Sequence, residues 1–127
     1  MTNGCFDILH YGHIYYLQES KKLCDKLIVA INSDNSVKKL KGKERPINNQ
    51  SFRSRVLASL YCCDYIIIFK EDTPLNLIKR LKPNLLTKGG DYNIKDIVGA
   101  KELKNWGGET KVISLVKGLS TTKIINK

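Results

Sequence analysis

The chain has 127 residues, of which 42% are hydrophobic and 27% charged, and its formal net charge is +10. This length holds one domain with a buried core and is too short for two, and the composition excludes a collagen-like or disordered chain. No apolar stretch approaches the length of a membrane span and no basic-then-apolar leader opens the chain, so we expect a cytoplasmic protein without a membrane partner.

Helical and strand patterns alternate along the chain. Helices are predicted at 14–24, 35–40, 51–61, 74–81, 98–106 and 120–125, and buried strands at 26–31, 65–69, 84–87 and 111–115. The alternation predicts an α/β fold, a Rossmann-like parallel sheet with helices on both faces, in a single domain over 1–127. Because residues 1–2 are too short to form the strand that should precede the first helix, we expect the first strand to be missing from the chain.

The helix predicted at 51–61 has four apolar residues that we expect on one side: Phe52, Val56, Leu57 and Leu60. In parallel α/β sheets, ligands bind at the carboxyl ends of the strands. That rule directs attention to the loops around 3–13, 32–42, 88–92 and 117–121.

The positive charge is spread along the chain and comes mostly from lysine, with only four arginines. Surfaces that bind RNA combine arginine with aromatic side chains on one face. The pattern therefore favours a small phosphate-bearing substrate over a nucleic-acid partner, and compositional drift explains the lysine content equally well.

The strongest local pattern is His10-Tyr11-Gly12-His13, at the start of the first predicted helix. A helix N-terminus offers free N–H groups to an anion, and Gly12 permits close approach of a phosphate. Two imidazoles placed there can donate hydrogen bonds to phosphate oxygens in a transition state. A zinc site with Cys5 or Asp7 as the third ligand stays open as an alternative.

The His-x-Gly-His segment resembles a signature of the nucleotidyltransferase superfamily, also called cytidylyltransferase-like, and Ser120-Thr121-Thr122 resembles its second signature. Within the superfamily, the chain is most similar to the adenylyltransferase domain of bifunctional heptose kinase/adenylyltransferases. The stretches that carry this similarity are 2–10, 32–34, 45–48, 71–74 and 88–92.

The resemblance implies transfer of AMP from ATP to D-glycero-β-D-manno-heptose 1-phosphate, with release of pyrophosphate, in the synthesis of ADP-heptose for lipopolysaccharide. It also implies Mg²⁺, a homo-oligomer and a sugar-kinase domain upstream. The partners are then ATP and a phosphorylated sugar.

The resemblance further implies a role for each matching residue. Catalytic roles fall to His10, His13, Lys41 and Arg53. Nucleotide binding falls to Asn3, Gly4, Cys5, Phe6, Gly12, Lys88, Gly89, Asp91, Ser120 and Thr121. The acceptor would contact Asn32, Asp34 and Lys39, and Asp7 would hold the metal ion.

Several of these residues have a plainer interpretation. Asp7 is about equally well explained as a turn or capping residue, and Ser120 and Thr121 as a helix N-cap. Lys39 and Lys41 also fit a solvated lysine run, and the two glycines after Lys88 fit an ordinary turn. Arg53 is preferred to Arg55 for the site because residues two apart point to opposite sides of a helix.

Three other functions stay open at this stage. A glycerol-3-phosphate cytidylyltransferase and an FMN adenylyltransferase would share the superfamily, and Lys88-Gly89-Gly90-Asp91-Tyr92 favours the heptose enzyme over both. A non-catalytic nucleotide-binding domain is the third, and the intact histidine pair argues against it.

Overall fold

The computed structural model describes residues 1–90, 92–114 and 124–125. Five strands lie at Thr2–Gly4 (β1), Ile28–Asn32 (β2), Tyr65–Phe69 (β3), Leu85–Gly89 (β4) and Glu109–Ile113 (β5). The α-helices are Tyr11–Lys22 (α1), Asp34–Lys41 (α2), Gln50–Ala58 (α3), Leu75–Leu81 (α4) and Ala100–Leu103 (α5). Short 3-10 helices lie at Ile94–Asp96 and Lys104–Trp106. Within the described residues, no helix is both long and apolar enough to cross a lipid bilayer.

The strands pair in parallel, β1 with β2, β2 with β3, and β4 with β5. Met1 joins the two groups, because its ammonium donates to the carbonyl of Leu85 at 2.8 Å and its carbonyl accepts from the amide of Thr87 at 2.9 Å. The strand order is therefore β3-β2-β1-β4-β5. This confirms the predicted parallel α/β sheet, and it puts the point where the strand order reverses between β1 and β4.

The expectation that the first strand is missing is wrong. Thr2–Gly4 form β1 and pair with residues 29–31 of β2. A strand this short carries no pattern of its own, and it is held in place by β2 on one side and by the Met1 contacts with β4 on the other.

Helices cover both faces of the sheet, as predicted. One core joins Leu17 of α1 and Leu57 of α3 to Val29 and Ile31 of β2. The other joins Ile78 of α4 and Leu103 of α5 to the opposite side of the strands.

Two details differ from the predicted elements. The helix expected at 98–106 is α5 followed by a 3-10 turn, which ends at Gly107 with a left-handed φ of +77°. On α3 the buried side carries Arg53 and Leu57, whereas Phe52 and Val56 are 60% and 48% exposed. The prediction that Phe52 and Val56 lie on the same side as Leu57 is therefore wrong. The Arg53 side chain lies on the buried side of the helix instead.

Candidate active site

A cleft of about 260 Å³ opens at the carboxyl ends of the strands, where the strand order reverses. Its lining includes Asn3 and Gly4 of β1, Asn32 of β2 and Lys88 of β4. The opposite wall comes from Thr73, Pro74 and the segment 96–98. The loops predicted to bind the ligand around 3–13, 32–42 and 88–92 follow β1, β2 and β4, so all three begin at this end of the sheet.

His10 and His13 form one stacked unit at the start of α1. Their ring centroids are 3.8 Å apart and their planes differ by 22°. His10 is the N-cap residue, and its Nδ1 accepts from the amide of Gly12 at 3.1 Å. The Nδ1 of His13 accepts from the amide of His10 at 3.3 Å, which closes a reciprocal capping arrangement.

This arrangement determines which ring nitrogens carry protons. In each neutral ring an accepting Nδ1 leaves the proton on Nε2. Burial lowers the pKa of His10, and burial together with the neighbouring His10 lowers the pKa of His13 to about 4. Both rings are therefore neutral at pH 7, and each has one Nε2–H to donate.

Phe6 packs beneath this pair rather than lining the cleft. Its ring is buried, with its centroid 5.1 Å from that of His13, and its backbone is left-handed at a φ of +48°. A Cβ at Gly4 would lie 2.9 Å from the Phe6 ring, so glycine is required there for the ring to fit. The Phe6 side chain therefore packs against the His13 ring and supports it on that side.

The carboxylate of Asp7 fastens the loop after α2 to the loop after β1. It accepts from Arg45 Nε, Ile47 N and Asn48 N, each at 2.9 Å. The side chain of Asp7 has no exposed surface. Burial alone would raise the pKa of Asp7, but these hydrogen bonds outweigh it and hold the pKa below its ordinary value.

Asp7 does not fit a metal ligand in this arrangement. Its oxygens face Arg45 and two backbone amides, and it borders a groove beside Phe52 rather than the cleft. Within the part of the chain that the structure describes, no group of three or more His, Cys, Asp or Glu could hold a metal ion. The zinc alternative therefore has no third ligand among the described residues.

Arg53 points inward, as preferred over the exposed Arg55, and is 2% exposed. Its Nη1 donates to the carbonyls of Cys5 and Asn32, at 2.9 and 2.8 Å. Its Nε donates to the carbonyl of Asn48 at 2.9 Å, and its Nη2 to Asp34 Oδ1 at 2.8 Å. The guanidinium thus joins the ends of β1 and β2 to α2 and to the loop before α3, and these protein contacts use four of its five N–H donors.

The two residues expected to contact the acceptor at β2 are also held by the protein. The Asn32 amide donates to Ser36 Oγ at 3.0 Å, and its Oδ1 accepts from Cys5 Sγ at 3.7 Å. Asp34 is the first residue of α2 and remains partly exposed beside Arg53. Burial raises the pKa of the Cys5 thiol against the opposing charges of Lys41, Arg53 and Arg45, so the thiol is protonated at pH 7.

Among the described residues, Lys88 is the lysine that lines the cleft. Its Nζ lies 5.5 Å from the centroid of the Tyr92 ring. Burial lowers its pKa, and the charge of Lys41 lowers it further, so Lys88 and Lys41 are close enough to interact. Lys39 instead points to the surface, where its Nζ lies 3.9 Å from Asp72.

The structure therefore groups Asn3, Gly4, Asn32 and Lys88 around the cleft, with the histidine pair at the start of the helix that follows β1. Gly89 ends β4 beside Ile113. Asp91, Ser120 and Thr121 lie outside the described residues.

Sequence reasoning missed the parts played by Arg45, Asn48 and Tyr92. Arg45 and Asn48 lie in the stretch 45–48 that carries the family resemblance, which is the signal that could have drawn attention to them. Their contacts with Asp7 join residues 38 and 41 positions apart, and no spacing rule predicts such pairs.

Comparison with known proteins places this geometry in a family. A family model described as cytidylyltransferase-like matches residues 1–127. The protein called Bifunctional protein HldE from Campylobacter fetus subsp. fetus is 58% identical over 126 residues, which are 99% of this chain and 27% of that protein. The HldE of Histophilus somni is 56% identical over 127 residues, with 100% and 27% covered. The chain thus spans about a quarter of the length of these curated relatives.

A solved structure shows the same fold. The lipopolysaccharide core biosynthesis protein from Thermoplasma volcanium GSS1 superposes with a TM-score of 0.74 at 32% identity, covering 92% of this chain and 94% of that one. The chain belongs to the cytidylyltransferase-like family, a family of nucleotidyltransferases.

Proposed function

We propose that this chain transfers AMP from ATP to D-glycero-β-D-manno-heptose 1-phosphate in the cytoplasm and releases ADP-heptose and pyrophosphate. Residues 1–127 would act as one nucleotidyltransferase domain. The observation that carries the proposal is the stacked pair His10 and His13 at the N-terminus of α1, two neutral imidazoles whose Nε2–H groups donate to none of the described residues.

In the proposed reaction, an oxygen of the acceptor phosphate attacks the α-phosphorus of ATP. A new P–O bond forms while the bond from the α-phosphorus to the bridging oxygen breaks, and that oxygen leaves with pyrophosphate. A phosphate monoester is mostly dianionic at pH 7, because its second pKa is about 6. The nucleophile therefore needs no general base.

The protein then has to position the phosphates and stabilise their charge. Donors that are already oriented stabilise charge as it develops, and removing one such donor costs roughly 10²–10³ in turnover. The histidine pair fits this role because backbone amides bind each Nδ1 and hold the rings in place. Their low pKa values agree with hydrogen-bond donation by neutral rings rather than proton transfer.

Lys88 and Lys41 would neutralise the leaving pyrophosphate. Lys88 lies at the end of β4 in the cleft, and its pKa is lowered mainly by burial, with a smaller contribution from the charge of Lys41. An anion bound between the two lysines would relieve their repulsion. Among the residues expected to bind the acceptor, Asn32 lines the cleft, whereas Lys39 is exposed.

Magnesium would enter as part of the ATP complex. Mg²⁺ is commonly bound through substrate phosphates with few protein ligands. This agrees with the full engagement of Asp7 by Arg45 and backbone amides, so no step is assigned to a protein-held ion.

The heptose acceptor is supported by the stretches that carry the resemblance, among them 88–92 at the cleft. Lipopolysaccharide core biosynthesis, the process for which the Thermoplasma volcanium protein is described, agrees with it. The relatives called bifunctional are almost four times as long, which agrees with a sugar-kinase domain in the longer protein.

The test is pyrophosphate release by the purified chain with Mg²⁺. ATP and CTP are each paired with heptose 1-phosphate, glycerol 3-phosphate and FMN. We expect release with ATP and heptose 1-phosphate, and a large loss in His13→Ala but not in Arg55→Ala, a matched change on the exposed side of α3. Pyrophosphate release with another nucleotide and acceptor would identify those two compounds as the substrates instead. ATP binding without pyrophosphate release from any combination would refute catalysis.

A further inference from the structure

A cluster of four buried hydroxyl groups lies directly beneath the cleft. Its members are Thr2 of β1, Tyr16 and Ser20 of α1, and Thr87 of β4, and all four residues are buried. Thr2 comes one residue before the cleft lining on β1, and Thr87 comes one residue before Lys88 on β4. This hydroxyl cluster therefore lies at the place where the strand order reverses.

Within the hydroxyl cluster, Tyr16 joins α1 to β4. Its hydroxyl donates to the carbonyl of Thr87 at 2.9 Å and is also hydrogen-bonded to Thr2 Oγ1. Thr2 Oγ1 lies 3.1 Å from the same carbonyl. Burial raises the pKa of the Tyr16 phenol, so its hydroxyl keeps its proton at pH 7 and remains a donor.

These side chains take the place of backbone pairing where the sheet opens. Within the described residues, β1 and β4 form no continuous ladder, and the two backbone hydrogen bonds of Met1 link them. In a continued parallel ladder the carbonyl of Thr87 would accept from the amide of Asn3. The hydroxyls of Tyr16 and Thr2 bind that carbonyl instead. Side chains therefore set the separation of the two strands at the base of the cleft.

Tyr16 also lies next to two groups of the candidate active site. It follows His13 by three residues, so the two side chains lie on the same face of α1, about one turn apart. Its acceptor Thr87 directly precedes Lys88. One buried hydrogen bond thus connects the helical turn that carries the histidine pair to the strand end that carries the lysine.

We propose that Tyr16 is a positioning residue, whose hydrogen bond to Thr87 fixes the distance between the histidine pair and Lys88 across the cleft. This inference rests on the proposed function, in which the histidines stabilise charge at the α-phosphorus and Lys88 neutralises the leaving pyrophosphate. Both groups then act on one triphosphate, so a shift of α1 against β4 would misalign them. A misplacement of about 1 Å can lower a rate about 100-fold.

The first test is Tyr16→Phe, which removes the hydroxyl and keeps the ring. The variant should fold, because Thr2 Oγ1 still reaches the carbonyl of Thr87. We expect kcat to fall about 10-fold or more, because the two phosphate-binding groups lose their alignment. The KM for ATP should change by less than about 3-fold, because both groups are still present. Pyrophosphate release is measured with the nucleotide and acceptor that the wild-type chain uses.

Two matched variants separate positioning from stability. Tyr15→Phe removes the same group from the preceding residue of α1, whose partly buried ring lies 6.4 Å from that of Tyr11, and it should leave kcat at the wild-type value. Ser20→Ala removes the 2.9 Å hydrogen bond from Ser20 Oγ to the side chain of Thr87, two turns beyond His13. It should lower the urea midpoint as Tyr16→Phe does and leave kcat unchanged. Equal losses of kcat in Ser20→Ala and Tyr16→Phe would reduce Tyr16 to a structural role and overturn the proposal.

A double variant tests whether Tyr16 acts through the histidine pair. Residues that act through one another show non-additive effects. His13→Ala/Tyr16→Phe should therefore have about the same kcat as His13→Ala alone. Fully additive losses would show that Tyr16 acts independently of His13, and they would overturn the proposal.

Rescue gives a further readout. Replacing Tyr16 by 4-aminophenylalanine keeps a hydrogen-bond donor at the position of the hydroxyl, and we expect it to restore most of the kcat lost in Tyr16→Phe. An active wild-type chain with an unchanged kcat in Tyr16→Phe would overturn this inference and leave the proposed function standing. A wild-type chain that releases no pyrophosphate with any nucleotide and acceptor would refute the proposed function, and the positioning role with it.

Discussion

Arg53 offers the sharpest test of how the site is held together. The family resemblance implied a catalytic role for Arg53, but in the structure its guanidinium donates to three carbonyls and to Asp34. Arg53→Met preserves much of the apolar stem and removes every donor. The carbonyls of Cys5, Asn32 and Asn48 then lose a charged partner inside the protein.

The expected loss in the free energy of unfolding is about 3–5 kcal/mol, the range for removing one partner of a buried, hydrogen-bonded charge pair. A total stability of about 5–15 kcal/mol is usual for a domain, so the variant would be close to unfolding. Arg53→Lys keeps the charge and part of the hydrogen bonding, and we expect about half that loss. Arg55→Met on the exposed side of α3 should change stability by less than about 0.5 kcal/mol.

Urea unfolding followed by circular dichroism measures these differences, and turnover is measured below the unfolding transition. We expect stability to fall in the order wild type, Arg53→Lys, Arg53→Met. An Arg53→Met variant that is as stable as Arg55→Met, with turnover lowered about 100-fold as for a missing transition-state donor, would contradict this structural role. That result would indicate that Arg53 contacts the substrate during the reaction.

Three further changes test other parts of the site. His13 has a pKa lowered to about 4 in the folded protein, so the unfolded chain binds a proton at this residue at higher pH than the folded chain does. The free energy of unfolding should therefore fall as the pH drops from about 6.5 to about 4. His13→Gln should flatten this part of the pH–stability curve, and an unchanged slope would contradict the lowered pKa of His13. Asp7→Asn should lower the free energy of unfolding by about 2–4 kcal/mol, while the Mg²⁺ concentration for half-maximal turnover stays the same; the opposite pattern would make Asp7 a metal ligand. Lys88→Met should raise the KM for ATP about 10-fold or more. It should not lower stability, because it removes a partly buried charge. Lys104→Met on the surface serves as the control, and equal KM values in the two variants would show that Lys88 does not bind the nucleotide.

The amino-acid sequence alone determined the class of fold and the place of the histidine pair at the start of the first helix. The runs at β2 and β3 are continuous and apolar, a pattern typical of strands in parallel sheets, and helical periodicity separates them; β2 is the buried one, whereas β3 lies at the edge and is largely exposed. The His10 and His13 motif is equally local, because a helix N-terminus and its capping side chains lie within four residues of each other. Patterns confined to a few consecutive residues can be interpreted without knowing which other segments pack against them.

The tertiary structure decided the features that depend on partners far along the chain. The three residues of β1 become a strand because β2 and β4 lie on either side of them. Asp7 connects two loops because Arg45, 38 positions away, donates a hydrogen bond to it. Arg53 points inward because the carbonyls of Cys5 and Asn32 accept hydrogen bonds from its guanidinium. Phe52, the neighbouring residue, is 60% exposed, because the buried side of the helix is occupied by the hydrogen-bonded Arg53. A buried polar side chain finds its hydrogen-bond partners only when segments that are distant along the chain come together. The tertiary structure therefore decided the positions and contacts of these side chains.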